Sequence, residues 1–153
     1  MDSKLLVGGF KSDVDEFLIL VDKFPEDRRL EVLFGEWNLK DVLAHMNHWA
    51  IHDLECIENL MEGKEPYWAP DVDEFNKEGI LKRKDWKWMK VYEEFVDLKA
   101  RLIDAYSSLP FGLWNKKFWP KRKFTPKKFL EIDIYHYEHD HTPEIRKVLD
   151  KIK

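Results

Sequence analysis

Apolar side chains recur along the chain at the three- and four-residue spacings that are typical of amphipathic helices. No stretch alternates with the two-residue period of a strand, so the pattern predicts an all-α fold. A four-helix bundle is the simplest architecture for four such helices. Nothing indicates a second domain, so we expect residues 1–153 to form one domain. The four periodic stretches cover residues 10–24, 38–63, 85–109 and 125–152.

Residues at the ends of these stretches are of the types that start and stop helices. Asn38 is a good N-cap, and Asp41, three residues later, suits the free N–H groups of a first turn. Thr125 followed by Pro126 is typical of a helix start. Pro25 ends the first helix because proline restricts the residue before it and removes a backbone donor. The capping residues therefore agree with the helix ends that the apolar period predicts.

The segment between the second and third helices, Lys64 to Arg83, shows no sustained period. It contains Pro66, Pro70 and Gly79, which interrupt regular structure. We predict a long ordered crossover loop here. Long loops inside compact domains are often functional.

Composition excludes several classes of protein. The chain has 153 residues with 26 Lys and Arg against 30 Asp and Glu, and an aromatic share of 14% that is too high for a disordered chain. The mildly acidic balance argues against a nucleic-acid partner. No long apolar stretch follows the first residues, so we expect no signal peptide, no membrane partner and a cytoplasmic location.

One basic run interrupts this acidic chain, and it alternates with aromatic residues. Such a segment could stack nucleic-acid bases, but we expect a solvated loop with anchoring aromatics. Cys56 is the chain's one cysteine, so it excludes an internal disulfide and is interpreted as a packing residue. The basic residues of the run are Lys116, Lys117, Lys121, Arg122 and Lys123, and the aromatic ones are Phe118, Trp119 and Phe124.

The six histidines are divided equally between the second and fourth helices. Because a helix turns about 100° per residue, the three on the second helix share one face. Histidines facing the interior of a bundle fit a metal site. The same spacing also fits polar residues that flank an apolar stripe. The histidines are His45, His48 and His52 on the second helix, and His136, His139 and His141 on the fourth.

The fourth helix allows two arrangements of its histidines. On a regular helix, His141 lies in the apolar stripe one turn after Tyr137, whereas His136 and His139 lie off it. Pro143 removes the backbone hydrogen bond to the carbonyl of His139 and favours a kink or bulge. A π-helical turn would align His136 with His141 instead. The sequence leaves both arrangements open.

Three segments of the chain form recognisable motifs. The first runs from Trp37 to Trp49 and reads WNLKDVLAHMNHW, with a histidine eight residues after its first tryptophan. The second is VDEFN at residues 72–76, and the third is DIYHYEHDHTPEI at residues 133–145. Together they resemble the helix-2, crossover-loop and fourth-helix motifs of the DinB-like superfamily of four-helix-bundle metalloenzymes, the crossover-loop motif being that of one branch.

The resemblance implies an up-down-down-up bundle, often a homodimer, in which three side chains bind Ni²⁺ or Zn²⁺. By position, His45 is the first ligand and His141 the last, while the middle ligand falls on Tyr137. Neutral tyrosine is a poor ligand for these ions. His48, or His136 in a shifted phase, would complete the set, and we take His45, His48 and His141 as the predicted metal ligands.

The resemblance also implies a function, a thiol-dependent S-transferase or a hydrolase that acts on a small electrophilic molecule. The thiol would come from an external low-molecular-weight compound. The predicted catalytic residues are His45, Tyr137 and His141. Without metal, His45 would be the general base, Tyr137 a hydrogen-bond donor and His141 an orienting group. The alternative is a non-catalytic small-molecule-binding bundle that has lost its metal, with Tyr137 in place of a ligand.

Overall fold

The computed structural model describes residues 2–153, which form an all-α protein as the apolar period predicts. No β-strand occurs in this part of the chain, where one isolated bridge pairs Phe34 with Trp37. None of the helices formed by residues 2–153 is long and apolar enough to cross a membrane. The helices are α1 (Ser3–Asp22), α2 (Leu39–Met61), α3 (Val72–Lys82), α4 (Trp88–Ser107), α5 (Pro126–His136) and α6 (Thr142–Lys151).

Shorter helical turns connect some of these elements. A π-helical turn, Tyr137–His141, joins α5 directly to α6. Two 3₁₀-helices, Glu26–Arg28 and Phe111–Leu113, follow α1 and α4. The predicted fourth helix is therefore one helical segment from Pro126 to Lys151 with a π-turn in its middle.

The caps predicted from the sequence are present. The Asn38 side chain accepts a hydrogen bond from the Asp41 backbone N–H at 2.8 Å, and the Asp41 carboxylate accepts one from the Asn38 N–H at 3.1 Å. The Thr125 hydroxyl oxygen accepts from the Lys128 N–H at 3.1 Å. After α2, Gly63 adopts φ +71°, a conformation that costs glycine little. Local polar groups thus set the ends of α2 and the start of α5.

The prediction of a loop throughout residues 64–83 is wrong for Val72–Lys82, which form α3. The Asp71 side chain caps this helix by accepting a hydrogen bond from the Glu74 N–H at 3.2 Å. The two buried positions of the helix are Phe75 and Gly79. Two buried positions are too few to produce a visible apolar period. The Asp71 cap is the sequence signal that could have located the start of this helix.

The chain divides into two compact units. The terminal unit contains the chain up to Arg28 together with Tyr106–Lys153, and in it α1 packs against α5, the π-turn and α6. The central unit contains Arg29–Ala105, and in it α2 packs against α3. Large buried side chains of the terminal unit are Phe10, Phe17, Tyr106, Leu130, Tyr137 and Ile145; those of the central unit include Leu39, Leu43, Phe95 and Leu102.

Candidate functional site

In the central unit, the first predicted site residue, His45, is covered by the tryptophan of its motif. The ring centroids of Trp37 and His45 are 4.6 Å apart. A tight turn holds the indole there, since the backbone N–H of Trp37 donates to the Phe34 carbonyl at 3.0 Å. Gly35 in that turn has φ +65°. The Trp37–His45 spacing therefore corresponds to a direct ring contact, which leaves His45 9% exposed.

His48 lies at the contact between α2 and α3. Its ring centroid is 4.3 Å from that of Phe75, and an added Cβ on Gly79 would lie 2.5 Å from the His48 Cβ. Burial, and then the positive charge of Arg83, lower the pKa of His48 although Glu78 lies 3.7 Å from Nε2. Its Nδ1 is buried with no hydrogen-bond partner in residues 2–153. His48 is therefore a neutral imidazole near neutral pH.

His52, the third histidine of α2, has neighbours of its own. Its Nε2 is 3.0 Å from the Tyr67 carbonyl oxygen, and its Nδ1 is 3.9 Å from an Asp53 carboxylate oxygen. Burial acts to lower the pKa of His52, but the interactions with Asp53 and the Tyr67 carbonyl raise it above the usual value. Cys56, 3.8 Å from the His52 ring, is buried, and burial raises the pKa of its thiol. The interpretation of Cys56 as a packing residue is confirmed.

A polar network that the sequence did not reveal joins α2, α4 and the end of α3. Arg83 is 0% exposed, and its Nε and Nη2 donate to both Glu94 carboxylate oxygens at 2.6 and 3.0 Å. Its Nη1 donates to the Gly79 carbonyl at 3.0 Å. Asn47 donates from Nδ2 to Glu94 at 2.7 Å and to the Val91 carbonyl at 3.1 Å. The Asn47 Oδ1 atom is buried without a hydrogen-bond partner in the described chain.

In the terminal unit, the fourth helix contains the bulge that Pro143 favours, in the form of the π-turn. The Thr142 N–H donates to the carbonyl of Tyr137, five residues earlier. The wider turn brings the ring centroids of His136 and His141 to 6.2 Å. His136 Nδ1 lies 2.7 Å from the Asp140 carboxylate, and both side chains are half exposed. His136 is thus near His141, and Tyr137 also contacts that histidine, with ring centroids 5.9 Å apart.

Tyr137 lies deep in the terminal unit, 2% exposed. Its ring packs edge-to-face on Phe10, Phe17 and His141, with centroid distances of 6.0, 5.6 and 5.9 Å. Burial, followed by the negative charges of Asp133 and Asp13, raises the pKa of its phenol well above 10. Tyr137 is therefore neutral and contacts His141 through its ring.

Two carboxyl groups face each other beside this tyrosine. Burial raises the pKa of Asp13 on α1 to about 6, helped by the charge of Glu138 and a side-chain hydrogen bond with it. A separate ion pair between Glu16 and Arg146 joins α1 to α6. The Asp13–Glu138 contact thus favours a proton between α1 and the π-turn.

The predicted site residues belong to different units. His45 and His48 are in the central unit, whereas Tyr137 and His141 are in the terminal unit, where their rings are in contact. Residues 2–153 contain no group of three or more His, Cys, Asp or Glu side chains that could hold a metal ion. The ligand set His45, His48 and His141, whose members lie in different units, stays a prediction.

Comparison with known proteins found no matching family model, no matching curated protein and no matching solved structure. The resemblance to the DinB-like superfamily stays a prediction that depends on the three sequence segments.

Proposed function

We propose that this protein binds a small polar molecule without a metal ion. The observation that carries the proposal is a buried acceptor at the contact between α2 and α3, His48 Nδ1. Asn47 Oδ1, on the neighbouring residue that bonds to α4, is a second buried acceptor. A buried polar atom without a hydrogen bond is costly, so a ligand that donates to it gains affinity. Because His48 is neutral and its Nε2 faces Glu78, its Nδ1 is the acceptor nitrogen. The ligand is therefore a small molecule with hydrogen-bond donors.

The state of Tyr137 supports binding without metal. Tyr137 stands where the resemblance implies the middle metal ligand, and its burial keeps the phenol neutral. A neutral phenol is a poor ligand for Ni²⁺ or Zn²⁺. This is the outcome expected for a member of the superfamily that has lost its metal.

We retain the DinB-like fold as part of the proposal. In it, α1, α2, α4 and the segment from α5 to α6 are the four helices of an up-down-down-up bundle, and α3 lies in the crossover connection. The ring contact between Trp37 and His45, at 4.6 Å, supports the motif on which the resemblance depends. A homodimer belongs to the same proposal.

A second candidate function is a metal-dependent transferase or hydrolase that uses an external thiol. The proximity of His136 and His141 across the π-turn favours it, because two histidines at 6.2 Å supply part of a ligand set. A bound ion would lower the pKa of an attacking thiol or water. This candidate also needs a third ligand, and residues 2–153 contain no group of three His, Cys, Asp or Glu side chains that could hold a metal ion.

Metal analysis separates the two candidates. After treatment with a chelator, the protein is measured by elemental analysis and by thermal unfolding with and without Ni²⁺ or Zn²⁺. We expect no stoichiometric metal and no rise in Tm, since a ligand that binds the native state stabilises it. A stoichiometric metal that His45→Ala, His136→Ala or His141→Ala loses contradicts binding without metal and favours the second candidate. His139→Ala, at an exposed histidine outside both sets of ligands, is the control and should leave any metal content unchanged.

Ligand binding is tested on the same metal-free protein with a panel of small amines, amides and polyols. At least one compound should raise the Tm of the wild type, and His48→Phe should abolish the rise because phenylalanine keeps the ring contact with Phe75 but lacks Nδ1. His139→Phe, at an exposed histidine, is the matched control and should keep the rise. Stabilisation that survives in His48→Phe, or none with any compound, overturns the proposal.

A further inference from the structure

The positive charge of this acidic protein is concentrated in one segment. Residues 105–130 hold seven Lys and Arg and no Asp or Glu, a formal charge of +7. Because the whole chain carries −4, all other residues together carry −11 (−4 − 7). Such a separation creates a local positive potential that the net charge conceals. The segment lies almost wholly in the terminal unit and runs from the end of α4 into the start of α5.

The aromatic residues of the basic run hold this segment in place. Phe118 and Trp119 are buried, and the ring centroids of Phe118 and Phe129 are 4.6 Å apart. The Phe118 N–H donates to the Phe124 carbonyl at 3.0 Å. The five basic residues of the run, Lys116, Lys117, Lys121, Arg122 and Lys123, are all exposed. The expected solvated loop with anchoring aromatics is confirmed.

One aromatic residue of the segment is turned outward. Phe111 is 87% exposed, and it starts the 3₁₀-helix Phe111–Leu113 directly after the exposed Pro110. The Leu113 N–H donates to the Pro110 carbonyl at 2.9 Å, and the Lys116 N–H donates to the Leu113 carbonyl at 3.1 Å. These consecutive turns connect an apolar tip to the start of the basic run.

We propose that this segment docks the protein on the surface of an anionic lipid bilayer. Phe111 enters the boundary between headgroups and acyl chains, and the exposed lysines lie against acidic headgroups. An exposed phenylalanine and exposed lysines in one segment suit such a boundary, because the lysines need water and charge and the phenylalanine needs an apolar environment. This proposal goes beyond the proposed ligand site, and it replaces the expectation that the protein has no membrane partner.

The positions of the aromatic rings favour lipid over nucleic acid. Single-stranded nucleic acid binds by stacking its bases on exposed aromatic rings that are interleaved with basic side chains. Here two of the three interleaved rings, Phe118 and Trp119, are buried, and the third, Phe124, is half-buried against the rings of Trp119 and Phe129. The exposed ring, Phe111, lies beside Pro110 and Leu113 and so forms an apolar tip.

Co-sedimentation of the full chain with extruded vesicles tests the proposal. One set of vesicles contains phosphatidylcholine with about one-third phosphatidylserine, enough to give a negative surface potential, and the other set contains phosphatidylcholine alone. We expect binding to the acidic vesicles and at least about tenfold weaker binding to the neutral ones. Raising the salt concentration should release the protein, because screening shortens the reach of the lysine charges.

Two variants and two matched controls assign the contact. Phe111→Ala and Lys116→Glu/Lys117→Glu should each weaken binding to the acidic vesicles by about tenfold. Leu5→Ala removes a similarly exposed apolar side chain, and Lys11→Glu/Lys87→Glu makes the same change in net charge at other exposed positions. Both controls should bind like the wild type. Circular dichroism spectra and melting curves verify that every variant is folded.

Three results would overturn the proposal. The first is no binding of the folded wild type to acidic vesicles. The second is equal loss of binding in the lysine variant and its control, which would assign the effect to net charge alone. The third is tighter binding to a single-stranded oligonucleotide than to the acidic vesicles.

Discussion

Arg83 is a fully buried charged residue whose hydrogen bonds must all come from neighbouring residues. A guanidinium that is 0% exposed has lost its hydration, and the bidentate contact with Glu94 at 2.6 and 3.0 Å replaces it. Asn47 and the Gly79 carbonyl complete the set of hydrogen bonds. A buried pair of this kind adds little stability compared with apolar residues, yet removal of one partner leaves an uncompensated charge.

The first prediction concerns this pair. Glu94→Ala should destabilise the protein by about 3 kcal/mol, because Arg83 would remain buried without its counter-ion. Asp97→Ala, which breaks an exposed ion pair with Arg101 on the same helix, should cost less than about 0.5 kcal/mol. Urea unfolding measures both. If the double variant Arg83→Met/Glu94→Leu were less stable than Glu94→Ala, the explanation by an unpaired buried charge would be wrong.

The second prediction concerns pH. The folded pKa of Asp13, about 6, lies above the ordinary 3.8, so the folded state binds the additional proton between these values. The stability that this proton contributes is present below pH 3.8 and is lost as the pH rises through about 6. The free energy of unfolding of Asp13→Asn, measured relative to wild type, should therefore be about 1 kcal/mol higher at pH 8 than at pH 4.5. This amount allows for solvent screening of the partly exposed carboxyl group.

Urea unfolding of wild type and Asp13→Asn at both pH values measures this gain. The control is Asp15→Asn, which makes the same chemical change at an exposed position of the same helix. A constant difference for Asp13→Asn would show that the Asp13–Glu138 contact does not hold a proton.

At the scale of single residues, the sequence predicts those interactions that form between residues close together in the chain. Asn38 and Thr125 could be recognised as caps because each bonds to a backbone group three residues away. The Arg83–Glu94 pair could not be recognised, since its members lie on different elements and no motif marks them. The environments of His45, His48 and Tyr137 likewise depend on residues distant in the sequence.

At the scale of the helices, the contact between α2 and α3 depends on the absence of a side chain. An added Cβ on Gly79 would lie 2.5 Å from the His48 Cβ, closer than packed atoms approach. The Trp49 Nε1–H also donates to the Asn76 side-chain oxygen at 2.6 Å, which fixes α3 along α2. Glycine at this position lets the two helices approach closely.

The third prediction compares two glycines inside helices. Gly79→Ala should destabilise the protein by about 1–3 kcal/mol because α3 must move away from His48. Gly8→Ala in α1 should stabilise it by up to about 1 kcal/mol, since the added Cβ meets nothing within 4 Å and alanine favours helix. Thermal and urea unfolding measure both variants. A stabilising Gly79→Ala would contradict the close approach of the two helices.

The apolar period left two elements unresolved, α3 and the π-turn, for different physical reasons. Helix α3 buries only Phe75 and Gly79 among its residues, so it lacks the repeated apolar positions that reveal a helix. The π-turn shifts the faces of α5 and α6 by one residue, and Pro143 indicated a bulge without deciding its phase. The long helices α2 and α4 were predicted because each keeps one buried stripe over many turns. The same stripe predicted α1 from Phe10 onward, but the helix begins at Ser3.

At the scale of the whole molecule, the distribution of charge matters more than its sum. A net charge of −4 and a pI near 5.9 describe a mildly acidic protein, and this balance led to the expectation of no nucleic-acid partner. The sum hides a segment of 26 residues that carries +7. Counting charge by segment, together with the exposure of each side chain, identifies the surface that a single total conceals.

The fourth prediction follows from this distribution. At pH 7 and low ionic strength, a cation-exchange column should retain the protein despite its negative net charge, because the resin contacts the basic segment locally. Lys116→Glu/Lys117→Glu should elute without retention, whereas Lys11→Glu/Lys87→Glu, with an identical net charge, should still be retained. Equal elution of the two variants would show that the exposed lysines of the segment do not act together, and a patch that does not act together on a resin would not hold the protein on an acidic bilayer.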